Sequence, residues 1–225
     1  LKDSPVNRLS IGVQSFRDED LKYMNRAHTA IEALNSIKMA QDAGFQNITI
    51  DLIYGTPGMS NEDWKHNLSK SVALNIPHIS SYALTVEEKT PLYYQILKKN
   101  IGPVDEQQSA DQFKILMAEM LIYGYEQYEI SNFCKDSLYS KHNSSYWKKG
   151  HYLGLGPSAH SYFGNSRLWN ISNNVKYIKA LSISTLPLVK ENLNTQDMYN
   201  EYVMTSLRTK WGCGLIEIEK DYSIS

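Results

Sequence analysis

The chain has 225 residues, 42% of them hydrophobic and 21% charged, and a net charge of −1 at neutral pH. Such a profile fits one large or two small globular domains with a sizeable core, argues against a polybasic nucleic-acid or anionic-membrane binder, and contains no run of the ~18 apolar residues a membrane span takes. The two cysteines, Cys134 and Cys213, form no disulfide framework, point to a reducing cytoplasm, and by themselves supply too few thiolates for an iron–sulfur cluster.

In chain order, residues 7–16 read as a strand, and a helical pattern follows from Thr29, a good N-cap, to about Ala43, with Gly44 placed to end it. Residues 48–54 read as a buried strand that stops at the breaker loop 55–58. Ser60 caps a helix whose apolar face is Trp64, Leu68 and Val72. A third strand is expected at 78–85, then helices starting at Pro91 and near Asp105, the latter running to Tyr123. Repeated strand–helix units imply a parallel sheet, open or closed into a barrel, with helices outside. Beyond Tyr125 a strand is expected at 128–131, then irregular chain to about 174 and helices near 173–181 and 195–210. The domain boundary is expected at residue 170: residues 1–170 form one domain, residues 171–225 a smaller, mainly helical one.

Polar residues late in the parallel strands are the first candidates for ligand binding, because ligands of such folds sit at the carboxyl edge. Gln14 sits late in the first strand, and Asp51 lies in an otherwise mostly apolar one, where a lone carboxylate needs a hydrogen-bond partner or a ligand. Capping of a neighbouring loop is the alternative for Asp51, and a solvated surface charge is the simplest reading of Arg26. His142, His151 and His160 share one irregular stretch but lack zinc-site spacing. His142, followed by Asn143, Tyr146 and Trp147, could be an exposed imidazole flanked by rings that pack a porphyrin, but from these residues alone a hydrogen-bonded histidine in an aromatic cluster covering the barrel is the favoured reading. Gly154 and Gly156 precede Pro157 and read as a tight turn with close backbone approach, not a dinucleotide loop.

The segments Asn7-Arg8-Leu9-Ser10-Ile11-Gly12-Val13-Gln14-Ser15-Phe16, Asn25-Arg26, Ile50-Asp51-Leu52-Ile53-Tyr54-Gly55, Gly124-Tyr125 and Tyr128-Glu129-Ile130-Ser131-Asn132-Phe133 occur in an order that resembles one family. It is the radical S-adenosylmethionine family of oxygen-independent coproporphyrinogen III oxidases and their haem-chaperone relatives of the HemW type. The resemblance implies an α/β fold: the second half of a partial (β/α)6 barrel plus the start of a C-terminal domain. It implies S-adenosylmethionine contacts at Gln14, Arg26 and Asp51, with Thr85 and His160 at further contact positions where the oxidases carry other residue types. It makes His142 an axial haem ligand, within the chaperone-like motif His142-Asn143-x-x-Tyr146-Trp147. The family's three-cysteine loop for a [4Fe–4S] cluster has no counterpart here, and its ligands are expected upstream of Leu1 in a longer polypeptide, so this piece alone is expected to be catalytically inactive. The implied function is haem binding and delivery, with haem or porphyrin, a haem-acceptor protein and an electron donor as partners. Dimerisation is open, and nucleic acid is not expected. Oxidative decarboxylation of coproporphyrinogen III is the alternative, and an unrelated βα-barrel aldolase or hydrolase using Asp51 is a third reading.

Overall fold

The computed structural model describes residues 3–222. Their backbone runs β1 (Arg8–Gln14), α1 (Asp18–Tyr23), α2 (Ala30–Asp42), β2 (Asn47–Tyr54), α3 (Asn61–Ala73), β3 (His78–Ala83), α4 (Pro91–Leu97), α5 (Glu106–Ile122), β4 (Glu126–Glu129) and β5 (Asn132–Cys134). There follow α6 (Lys141–Trp147), β6 (His160–Phe163), β7 (Ser166–Asn170), α7 (Asn174–Ser182), β8 (Leu188–Asn192), α8 (Thr195–Ser206) and α9 (Leu215–Tyr222). The chain divides into two units, one ending at Tyr139 and the next starting at Ser140.

In the first unit the strands stand in the order β1-β2-β3-β5-β4, with β1, β2 and β3 parallel and β5 antiparallel to both of its neighbours. Period-two alternation separates the two faces of this sheet. Val13, Ile48, Ile50, Leu52 and Ile79 are fully buried and join Ile37 of α2, Trp64 and Leu68 of α3, and Leu116 and Met120 of α5 in one core. The opposite face is polar: Ser10 pairs in register with Thr49, and Asp51 with Ser80. One face therefore takes the helices and the other is left for polar work.

Local chemistry accounts for the element boundaries. Thr29 and Ser60 each form a capping box, with Glu32 and Asp63, so α2 and α3 start where the residues predict. Asp105 accepts from the backbone of Gln107 and Gln108 at the start of α5. The expected strand at 128–131 is instead a hairpin, with Ile130 and Ser131 as the turn between β4 and β5. Side chains hold that turn: Ser131 N–H donates to the Glu129 carboxylate (3.1 Å), and Gln127 donates to the Ile130 carbonyl (3.0 Å).

The second unit contains the antiparallel sheet β6-β7-β8 together with helices, so it is less helical than the sequence suggests. The helices expected near 173–181 and 195–210 are α7 and α8. The division between units falls at 139/140 and not at 170. The reason is strand pairing: β6 and β7 precede residue 170, β8 follows it, and β7 bonds to both, so a cut there would split one sheet. No helix among the described residues is long and apolar enough to cross a membrane.

Candidate functional site

At the carboxyl edge of β1 a bulge interrupts the pairing with β2 between Ile11 and Gln14. Gln14 takes a left-handed backbone (φ 65°), and its amide folds back over Gly12. A Cβ at Gly12 would lie 2.7 Å from Gln14 Nε2, so the glycine is what lets the side chain rest there. Asp51, half-buried in β2, has no ion-pair partner among the described residues. Burial pushes its carboxyl up from the ordinary value, and the Ser80 and Ser10 hydroxyls only partly offset this. Such a carboxylate favours a ligand that brings hydroxyl or ammonium donors.

Arg26 is exposed in the connection between α1 and α2. That connection is tied to the same sheet edge by His28, whose Nε2–H donates to the Val13 carbonyl (3.1 Å). Thr85 is exposed two residues beyond β3. Gln14, Arg26, Asp51 and Thr85 thus all stand on β1–β3 or on the connections at their carboxyl edge, and no hydrogen bond joins any two of them among the described residues. His160 belongs to the second unit, where it opens β6 and stacks on Trp169 at 6.1 Å. Tyr82, which no sequence motif marks, lies on the same strand face as Ser80. Burial raises its hydroxyl pKa, the Ser80 hydroxyl lowers it, and the negative charges of Asp51 and Glu129 add to the rise. Its place two residues after Ser80 in a strand was the available signal.

In the second unit, α6 begins at Ser140, whose hydroxyl accepts from the Asn143 backbone (3.3 Å). His142 is exposed and meets Tyr146 one helical turn later, with rings edge to face at 5.0 Å. The Tyr146 hydroxyl is 3.3 Å from His142 Nε2, longer than a strong hydroxyl hydrogen bond and so readily exchanged for another ligand. Tyr146 in turn packs on Tyr152 (4.8 Å), which stacks on Tyr162 (6.1 Å) of β6. Trp147 is half-buried, with the Arg208 guanidinium 5.3 Å from its ring centroid. Tyr146 and Trp147 help to line a cleft of about 150 Å³, together with Lys149, Tyr152, Arg167 and Glu201. That volume is below the ~300 Å³ lower bound of drug-sized pockets, so a porphyrin would lie against α6 and not inside the cleft. Gly154 packs directly against the His160 backbone, which agrees with the close approach its segment predicts.

Residues 1–70 match the Radical SAM superfamily. The haem chaperone HemW of Bacillus subtilis (strain 168) is 34% identical over 226 residues, a stretch covering 100% of this chain and 60% of that protein. HemW of Mycobacterium tuberculosis (strain ATCC 25618 / H37Rv) is 32% identical over 219 residues, covering 97% of this chain and 56% of the relative. Among solved structures, coproporphyrinogen III oxidase (HemN) from Escherichia coli, described as a radical SAM enzyme, superposes with a TM-score of 0.78 at 22% identity, covering 98% of this chain and 54% of that one. This last likeness shows a shared fold. The chain spans about 60% of the length of the curated relative from B. subtilis. The strand–helix order and the polar sheet face agree with these matches: this chain is similar over residues 1–70 to the Radical SAM superfamily and over its whole length to haem chaperones of the HemW type.

Proposed function

We propose that this chain is the haem- and S-adenosylmethionine-binding portion of a radical-SAM haem chaperone. The observation that carries the reading is the exposed His142 imidazole, flanked on α6 by Tyr146, in a chain whose relatives over its whole length are named haem chaperones. Haem is the cargo. His142 would hold the iron as an axial ligand, and the exposed Tyr146 ring would pack the porphyrin face.

The polar face of the first unit suits S-adenosylmethionine. Asp51 would accept from ribose hydroxyls or the amino group, Gln14 can donate and accept beside it, and Arg26 can pair with the methionyl carboxylate. Thr85 is the further contact candidate of this unit, and His160 lies in the second unit. The superfamily's [4Fe–4S] cluster would be held by cysteine thiolates. The residues of this chain do not fit that cluster: Cys134 is buried in β5, Cys213 lies in the other unit, and no metal-holding group of side chains occurs among the described residues.

The role calls for a haem-acceptor protein and an electron donor as partners, and a cytoplasmic setting suits a chain with two cysteines. Coproporphyrinogen oxidation shares the fold, but fold alone does not select a substrate. The test is a hemin titration of the chain followed by its Soret band. The wild type is expected to shift the band, and His142→Ala to abolish the shift with an unchanged circular dichroism spectrum. An identical titration for the variant would sink the ligand assignment.

A further inference from the structure

The cleft beside α6 holds a cation that haem ligation by His142 does not use. Lys149 follows the C-cap of α6 with a left-handed backbone (φ 53°), a conformation that glycine or asparagine takes more readily at this place. The ammonium lies between two rings, 4.4 Å from the centroid of Tyr202 and 4.7 Å from that of Tyr222, and donates to the Tyr222 hydroxyl. No carboxylate lies within ion-pair distance of Lys149 among the described residues.

The other cation of the cleft is differently placed. Arg167 is paired with Glu201 at 2.6 Å and with Glu191 at 3.8 Å. Lys149 is therefore the cation of this cleft with no carboxylate at ion-pair distance among the described residues, Asp221 and Glu201 acting on it only from farther off. Trp147 lines the same cleft, and its indole Nε1–H is buried with no acceptor. An ammonium in an aromatic-walled space of about 150 Å³ suits a small carboxylate group.

We propose that Lys149 binds a side-chain carboxylate of the porphyrin carried at α6, which makes the cleft a subsite selecting porphyrins with free propionates. The inference rests on the haem reading above and deepens it. His142 fixes the iron, and Lys149 fixes the orientation of the ring about that axis.

The experiment compares hemin with hemin dimethyl ester, titrated into the wild-type chain and into Lys149→Gln and Lys149→Arg, with thermal melts to check folding. Wild type is expected to prefer hemin. Lys149→Gln should weaken hemin binding by about tenfold, as loss of a charge-assisted hydrogen bond does, while leaving the ester unchanged. Lys149→Arg should restore the preference. Equal weakening of both porphyrins, or of neither, overturns the Lys149 assignment and leaves the His142 reading standing. Wild-type chain that takes up neither porphyrin overturns the haem reading and this subsite with it.

Discussion

His78 makes the first unit sensitive to acid in a way that can be worked out from its surroundings. The side chain is 0% exposed on β3, where it pairs in register with Thr49 and Cys134. Its Nε2 is 2.7 Å from the Tyr128 hydroxyl, and its Nδ1 is buried with no partner. Burial first, and then the positive charge of Arg8, lower its pKa from 6.5 to about 3. The unfolded chain takes up a proton near pH 6.5 that the folded chain refuses until about pH 3. The unfolded state thus binds more protons throughout that window, and stability falls as the pH falls. The slope is about 1.4 kcal/mol per pH unit, so this one residue withdraws about 3 kcal/mol between neutral pH and about pH 4.5. Urea denaturation followed by far-ultraviolet circular dichroism, on wild type and His78→Gln at several pH values, measures it. The glutamine amide can still meet the Tyr128 hydroxyl but cannot titrate. The variant is expected to be the less stable at neutral pH, with the gap closing by about 1.4 kcal/mol for each unit of acidification. Parallel stability curves for the two proteins would refute the reasoning.

Three other substitutions probe the site and its supports. Gly12→Ala should push the Gln14 amide off its resting place, since the new Cβ would lie 2.7 Å from Nε2. Because the atom that must yield is the far end of a flexible side chain, thermal stability should change by less than about 1 kcal/mol, while isothermal titration shows weakened S-adenosylmethionine binding. Asn67→Ala removes a fully buried amide that accepts from Phe16 N–H (2.7 Å) and donates to Ser15 Oγ (3.1 Å), which itself donates to Asp20 (2.7 Å). Orphaning these groups should cost about 2–3 kcal/mol in urea denaturation, and a loss under about 0.5 kcal/mol would show that the network is not coupled. Gly154→Ala forces a Cβ into the His160 carbonyl, a backbone atom that cannot swing aside, so amide exchange along β6 should accelerate markedly while the first unit is unaffected.

The elements of the first unit were legible because each is declared locally. Thr29 and Ser60 are followed three residues later by Glu32 and Asp63, and the resulting capping boxes start α2 and α3 where expected. Helix α1 escaped notice because Arg17 at its N-cap offers no side-chain hydrogen bond and the helix is only six residues long. The strands of the second unit escaped for another reason. The residues of β8 are exposed throughout, so no buried-face alternation marks them, and only antiparallel bonding to β7 makes Leu188–Asn192 a strand. Lys149 as a cleft cation had no sequence signal either, since its placement depends on a left-handed turn and on two rings contributed by α8 and α9.

By itself, the sequence determined the alternation of strand and helix, the placing of Gln14 and Asp51 in parallel strands, and the motif that begins at His142. These are properties of spacing, capping and side-chain type, which act over a few residues. The tertiary structure decided which sheet face is polar, that the units part at Tyr139 and Ser140, and that Lys149 meets no carboxylate within ion-pair reach among the described residues. Each of those depends on groups far apart in the chain becoming neighbours, and burial and strand pairing, which bring them together, are written in no single segment.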